Sequence, residues 1–531
     1  MEQKKWMQFY PEDVNPNINK SEFVSIYQLL KNSEVKYGDR IAIVSDDDEK
    51  ITYTELKEKV DLLASAWQKE DLYKGERIGL MLPNTPYYII AYYAAMKLGL
   101  IVVQINPNYT MRELLEIIKD SEISYLVVDD CNAENGKQVM EMNLLKKLYV
   151  TESELEQEKT ILRLIHQAKF PTPEAPIDIE QDVAVIQYTG GTTGGLKGAM
   201  LTHANLIANV LQSFEVYGNV MKFGKETVLT MTPLYHVYAM TSGMNMGIYA
   251  AATNVLVEDY HVDHALEKVK KYQPTYFPGV PRMYNDFVNH PNVKAYGLNC
   301  LKFCSSGSAP IPVELIKKFE KLTGATIAEG FGLSESSPST HRNPPFGKRK
   351  VGSIGLPLPS TDCKIVDDNG CELPADEIGE LIIKGPQVMK GYWKKEKETN
   401  DSLKNGWLYT GDLARQDEEG YFFIVGRKKE LIITNGFNVY PQEIESVLFE
   451  HPDIKESAVV GIKDEKRGEL TKAFIVVHSG VTIDEDELKG YCYKNLTPYK
   501  VPKQFEVIAD LPRNNVGKVL KKKLKDMEIN K

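Results

Sequence analysis

The chain has 531 residues, 42% of them hydrophobic and 26% charged, with a formal net charge of −10. That length exceeds one ordinary core and predicts two or more domains, in the composition range of a soluble globular protein. The acidic balance argues against general nucleic-acid binding, which needs a basic face, but leaves room for the few local cations that hold a phosphorylated small molecule.

From the N-terminus, Met1 to Trp6 lacks the apolar core of a signal peptide. Ile41-Ala42-Ile43-Val44 and Ile51-Thr52-Tyr53 flank an acidic turn and predict a hairpin, followed by a helix for which Thr54 is the expected N-cap. A strand is predicted from Arg77 to Leu82 and a helix from Tyr87 to Leu98. Strands at Ile101–Ile105 and Tyr125–Val128 follow. The apolar stretch from Tyr87 to Val103 contains Lys97 and Gly99, so it falls short of a membrane span. This alternation argues for a doubly wound, mostly parallel α/β unit. Residues 131 to 182 are charged and irregular and are expected to form a connector. Alternation resumes at Val183 and runs to Thr340. Short strands at Gly352–Gly355, Asp362–Val366 and Gly379–Ile383 predict a β-rich subdomain, and a compact α+β segment follows Lys428. The expected plan is a large N-terminal α/β domain over residues 1–427, with doubly wound sheets and the β-rich subdomain, and a small mobile C-terminal domain over 428–531. Six cysteines are scattered along the chain. The pair Cys300 and Cys304 lacks metal-ligand context, which predicts reduced thiols in a cytoplasmic protein.

The run Thr189-Gly190-Gly191-Thr192-Thr193-Gly194-Gly195-Leu196-Lys197-Gly198 leaves the apolar strand beginning at Val183. Glycines let backbone N–H groups approach a polyphosphate closely, two threonines within the loop add hydroxyls, and Lys197 adds charge. It is not a Walker loop, because Leu196 precedes the lysine and Gly198 follows it. In Glu329-Gly330-Phe331-Gly332-Leu333-Ser334-Glu335 two glycines permit backbone approach, the aromatic offers a stacking face, and a hydroxyl and a carboxylate suit Mg²⁺. Tyr409-Thr410-Gly411-Asp412 ends a strand on a carboxylate suited to two vicinal hydroxyls. Taken alone, Gly426-Arg427-Lys428-Lys429 reads as a solvated basic turn and Lys518 as a solvated helix charge.

These motifs, together with Ser306-Gly307-Ser308-Ala309-Pro310 and Pro512-Arg513-Asn514-Asn515-Val516-Gly517-Lys518, resemble the signatures of the adenylate-forming enzymes in the family's order. The phosphate loop is similar to Y-T-S-G-T-T-G-x-P-K-G, with Gly190 in place of serine and Leu196 in place of proline. The Gly190 form looks most like the fatty-acyl-CoA synthetase branch. The resemblance implies that Thr189, Gly190, Gly191, Thr192, Thr193, Gly194 and Lys197 cradle the phosphates of ATP. It implies that Ser308, Ala309, Pro310, Glu329, Gly330, Phe331 and Gly332 surround the adenine, with Phe331 stacked on it. Ser334 would then contact the α-phosphate, Glu335 and Thr193 would hold Mg²⁺, Asp412 would bind the ribose, and Arg427 would bind ribose and phosphate. Lys518 is implied to bridge the attacking carboxylate and the α-phosphate. Lys429 is the implied pivot of the small domain, and Gly436 and Phe437 the implied wall of a coenzyme A tunnel. His236, Val237, Tyr238 and Met240, with Gly307 and Gly332, are implied to line the acyl pocket. His236 has no triad partner and is read as a wall, not a nucleophile.

The implied activity is that of an ATP-dependent acid:CoA ligase acting on a medium- or long-chain fatty acid and releasing AMP. Alternatives from the same reading are a stand-alone ligase loading a carrier-protein thiol, a 4-coumarate-type aryl-CoA ligase, and a nucleotide-binding protein without catalysis. Peripheral membrane contact and a homodimer are both compatible with the sequence.

Overall fold

The computed structural model describes residues 4–152, 159–189, 196–218, 220–464, 467–513 and 518–529. Two large sheets form the N-terminal part. The first has nine strands, running in space from Leu356–Pro357 through Ser339–Arg342, Thr326–Gly332, Phe303–Ser306, Tyr276–Gly279, Thr227–Thr230, Thr253–Leu256 and Ile41–Val44 to Lys50–Thr52. Its central pairings are parallel and its edges antiparallel. The second has seven strands in the order Gly391–Tyr392, Lys197–Thr202, Val183–Thr189, Ile101–Gln104, Arg77–Met81, Tyr125–Val128 and Lys147–Val150. Parallel strands covered on both faces must be apolar throughout, and the strands Ile101–Gln104 and Tyr125–Val128 are buried at every position. The helix Pro86–Leu98 is buried from Tyr88 to Leu98 and joins one large apolar core with the helix Tyr53–Lys69.

Three local expectations are corrected. Residues 131 to 182 are more than a connector, because they supply the helix Ala133–Glu141, the edge strand Lys147–Val150 and the helix Ile161–Gln167. An edge strand keeps its polar side in water, and Lys147 pairs with Glu70 at 2.8 Å, so its charge disguised a strand. Thr52, not Thr54, caps the helix Tyr53–Lys69. Its hydroxyl accepts from Glu55 N at 3.2 Å, and Thr52 N donates to the Glu55 carboxylate at 2.8 Å. Gly352 to Ile354 form a turn, and the strand is Leu356–Pro357, with Gly355 bridged to Phe422.

The β-rich subdomain is an antiparallel sheet of Asp362–Val366, Gly379–Lys384, Trp407–Gln416 and Leu403–Lys404, with Phe422–Arg427 also paired to Trp407–Gln416. Beyond it, among the described residues, Ile432–Thr434, Phe437–Val439, Ile454–Asp464, Gly468–Val477 and Gln504–Val507 pair only among themselves. They enclose two apolar clusters of their own, centred on Ile444, Val459 and Ile475 and on Val460, Phe474 and Leu524. Among the described residues no helix is long and apolar enough to cross a membrane.

Candidate active site

The Trp407–Gln416 and Phe422–Arg427 strands form a hairpin that turns through Gly420, whose φ is +88°. Its register sets Asp412 directly opposite Arg427, which is what their separation of fifteen residues encodes. Arg427 Nε lies 2.8 Å from Asp412 Oδ1. Asp412 is only 2% exposed. Burial pushes its carboxyl up to about 6, although the cations of Arg427 and then Lys518 pull the other way. Its second oxygen is buried and has no hydrogen-bond partner among the described residues. A buried acceptor without a donor suits a hydroxyl-bearing ligand.

Asp412 and Arg427 open onto a cavity of about 680 Å³ between the β-rich subdomain, the nine-stranded sheet and the C-terminal unit. Ser308 to Pro310 and Glu329 to Gly332 line it from the sheet side. Ser308 follows the strand Phe303–Ser306 with φ +69°. Phe331 is half-buried, and its ring meets His341 edge-on at 6.2 Å. A Cβ at Gly332 would lie 2.1 Å from the Pro338 carbonyl oxygen, so only glycine lets the two backbones approach this closely. Glu329 is 8% exposed. Burial pushes its carboxyl up to about 8, and its Oε2 is unpartnered among the described residues.

From the C-terminal side Lys518 reaches the same cavity. Burial lowers its pKa, and the neighbouring Arg427 lowers it further. Its backbone is held by a bridge between Arg513 and Val519 and by Leu520 N donating to Pro512 O at 2.7 Å. Lys521 anchors the following helix to Glu445 at 2.8 Å and Glu430 at 3.3 Å. The structure therefore brings together Ser308, Ala309, Pro310, Glu329, Gly330, Phe331, Gly332, Asp412, Arg427 and Lys518.

Other expected residues lie beside this cavity or away from it. Thr189 faces Lys197 in register across two antiparallel strands, and residues 190–195, which include Thr192 and Thr193, fall outside the described residues. The Lys197 ammonium stands 5.0 Å from the centre of the Tyr392 ring, and Tyr392 Oη donates to Glu335 Oε1 at 2.7 Å. Ser334 begins the same short turn as Glu335. Tyr392 is thus a shared partner of two expected site residues that sequence reading missed. It sits in a two-residue strand, and the pairing of Gly391–Tyr392 with Lys197–Thr202 brings it there.

His236, Val237, Tyr238 and Met240 run into a π-helical segment, Ala239–Asn245, inside the large core. Tyr238 donates to Ser305 O at 3.1 Å, and its ring would lie 3.2 Å from a Cβ at Gly307, so the ring packs closely on the glycine. Met240 Sδ accepts from Gln104 Nε2 at 2.8 Å. Burial pushes His236 down to about 4, which leaves it neutral and fits a wall and not a charged group. Lys429 lies exposed in the turn Lys428–Glu430. Gly436 (φ +80°) and Phe437 sit at an exposed hairpin tip, where Phe437 stacks on Tyr499 with ring centres 4.8 Å apart. Neither lines the cavity.

A nucleotide-sized cavity on a parallel sheet, closed by a small unit that brings in a lysine, defines a class of nucleotide-dependent two-domain enzymes. Two family profiles match this chain: "AMP-binding enzyme" over residues 30–393 and "AMP-binding enzyme C-terminal domain" over 443–518. The chain belongs to the AMP-binding enzyme family. Among its relatives, the long-chain-fatty-acid–CoA ligase of Bacillus subtilis (strain 168) is 40% identical over 99% of this chain and 98% of the relative. The long-chain-fatty-acid–CoA ligase of Escherichia coli O6:H1 is 37% identical over 98% of each. The crystal structure of ATP-bound MatB from Rhodopseudomonas palustris is 29% identical, with a TM-score of 0.88 over 95% of this chain and all of that one.

Proposed function

We propose that the protein is an ATP-dependent fatty acid:CoA ligase that forms AMP. The observation carrying the reading is the convergence of Asp412, Arg427 and Lys518 on one cavity beside Phe331 and the Ser308–Pro310 turn. The names of the full-length relatives supply the acid class.

In the first half-reaction the acid's carboxylate attacks the α-phosphorus of ATP, forming the acyl–phosphate bond and breaking the bond to pyrophosphate. Adenine stacks on Phe331 between the Ser308–Pro310 turn and Glu329, and the ribose hydroxyls donate to Asp412. Arg427, already fixed by Asp412, spans ribose and phosphate. Lys518 bridges the incoming carboxylate and the α-phosphate. A preorganised cation there contributes on the order of 10²–10³ in rate. Thr189, Lys197 and the loop between them cradle the β- and γ-phosphates, and Ser334 meets the α-phosphate. A carboxylate beside a phosphate loop suits the all-oxygen demand of Mg²⁺, so Glu335 is the group that would hold it, with Thr193. Bound there, Mg²⁺ would neutralise charge on the departing pyrophosphate.

In the second half-reaction the thiol of coenzyme A attacks the acyl carbonyl and AMP leaves. Here Gly436 and Phe437 stand outside the cavity while Lys518 is in it, so this reading requires the C-terminal unit to turn between steps. The exposed Lys428–Glu430 turn suits a pivot at Lys429, between a domain of residues 1–427 and one of 428–531. Lys428 ties the turn to Asp368 at 2.8 Å and Glu380 at 3.2 Å. The acyl chain runs past Gly307 and Gly332 toward Tyr238 and Met240. The reading includes a cytoplasmic location.

The test is acid-dependent release of AMP and pyrophosphate from ATP, with acids from acetate to oleate plus a cinnamate, each with and without coenzyme A. Stimulation by coenzyme A that peaks with a medium or long aliphatic acid is expected. Turnover indifferent to coenzyme A, or selective for the cinnamate, would refute the assignment.

A further inference from the structure

The N-terminal segment from Lys4 does not trail into solvent. Lys5–Phe9 forms a 3₁₀ turn, and Trp6, 8% exposed, packs into an apolar cluster with Leu356 and Tyr421. Phe9 meets the Tyr421 ring at 6.4 Å, Tyr10 Oη donates to Pro357 O at 2.5 Å, and Lys4 pairs with Asp362. The fit is close: a Cβ at Gly420 would lie 2.9 Å from Trp6 Cβ. The segment thus straps the turn of the hairpin whose strands carry Asp412 and Arg427.

A chain of ring contacts leads from this strap to the site. Trp6 lies edge-on to Phe422 at 6.4 Å, Phe422 to His341 at 4.7 Å, and His341 to Phe331 at 6.2 Å. His341 is the cross-strand partner of Phe331 in the sheet, and Phe422 begins the strand that ends at Arg427. Phe422 is also fixed by two backbone bonds, donating to Gly355 O at 3.0 Å and accepting from Ile354 N at 2.9 Å. Burial keeps His341 neutral, so it acts in this chain as an aromatic ring. Close-packed rings transmit displacement because they have no empty volume to absorb it.

We propose that Trp6 is a positioning residue for the nucleotide site, holding Phe331 through Phe422 and His341 and holding Arg427 through the strapped hairpin. The proposal rests on the reading of Phe331 and Arg427 as nucleotide-binding groups. It concerns a residue outside both matched profiles, which cover residues 30–393 and 443–518.

The test is steady-state kinetics of Trp6→Leu, which keeps apolar bulk and loses the ring, alongside Trp6→Ala and Trp6→Phe. The expected result for Trp6→Leu is a KM for ATP raised about threefold to tenfold, with the KM values for acid and coenzyme A within about twofold. Trp6→Phe should recover most of the loss. An unchanged KM for ATP in Trp6→Leu, a parallel rise for all three substrates, or a Trp6→Phe enzyme no better than Trp6→Leu would each overturn the proposal. Phe331→Ala separates the two readings. If its KM for ATP is unchanged, the stacking role of Phe331 fails and the ring route fails with it. If that KM rises while Trp6→Leu stays normal, only the strap is refuted.

Discussion

Asp412 holds its charge where charge is costly. Its carboxyl sits at about 6 instead of the ordinary 3.8, because burial outweighs the help of Arg427 and Lys518. A raised carboxyl pKa means that the proton returns early as pH falls. Below about 6 the group becomes neutral, its pairing with Arg427 weakens, and, in the proposed binding mode, one acceptor for the ribose becomes a donor. The KM for ATP should therefore rise as pH drops from 7 to 5, and Asp412→Asn should flatten that rise. At pH 7.5 the same variant should raise the KM for ATP roughly tenfold or more, the scale of hydrogen bonds to a charged acceptor. Lys518 is different: in the proposed mechanism its contribution grows with charge in the transition state. Lys518→Ala should slow acyl-adenylate formation by about 10²–10³. Thioester formation from supplied acyl-adenylate should fall far less, and single-turnover measurement of each half-reaction separates the two.

At the scale of elements, the site is built from strand ends and the turns that join them. The spacing of Asp412 and Arg427 was visible in the sequence, and the hairpin register explains it. Glycines mark the other constraint. At Gly332 the Pro338 carbonyl leaves no room for a side chain, and the obstacle is backbone, which cannot rotate away. Gly332→Ala should lower stability by about 1–3 kcal/mol, the range for overpacking, and reduce adenylate formation with it. Thermal melts paired with an AMP-release assay check both. Elements whose residues face water on one side were harder to read. The edge strand Lys147–Val150 was hidden by its lysine and by the charged segments around it. The cap at Thr52 was misplaced by two residues, because Thr52 and Thr54 both have the right chemistry and only the backbone bond from Glu55 chooses between them.

At the scale of the whole molecule, one cavity is shared by two separately cored units, and under the proposed mechanism this arrangement serves the first half-reaction. Phe437 is 53% exposed at a hairpin tip, so removing its ring costs little packing. Phe437→Ala should lower the melting temperature only slightly, through the lost stack on Tyr499, leave adenylate formation unchanged and raise the KM for coenzyme A about threefold to tenfold, the worth of one aromatic contact. A normal KM for coenzyme A in that variant would remove Phe437 from the second step.

By itself the sequence determined the family and the two-part plan, and it named ten residues that the structure gathers around one cavity. Glycine, acid and lysine spacings are local, and the backbone demands behind them can be read along a few residues. Only the tertiary structure decided that Tyr392 joins Lys197 to Glu335, that Trp6 reaches the hairpin turn, and that Asp412 titrates near 6. Each of these depends on residues far apart in the chain being packed against one another. Burial and contact at that range belong to the folded molecule, and no local pattern encodes them.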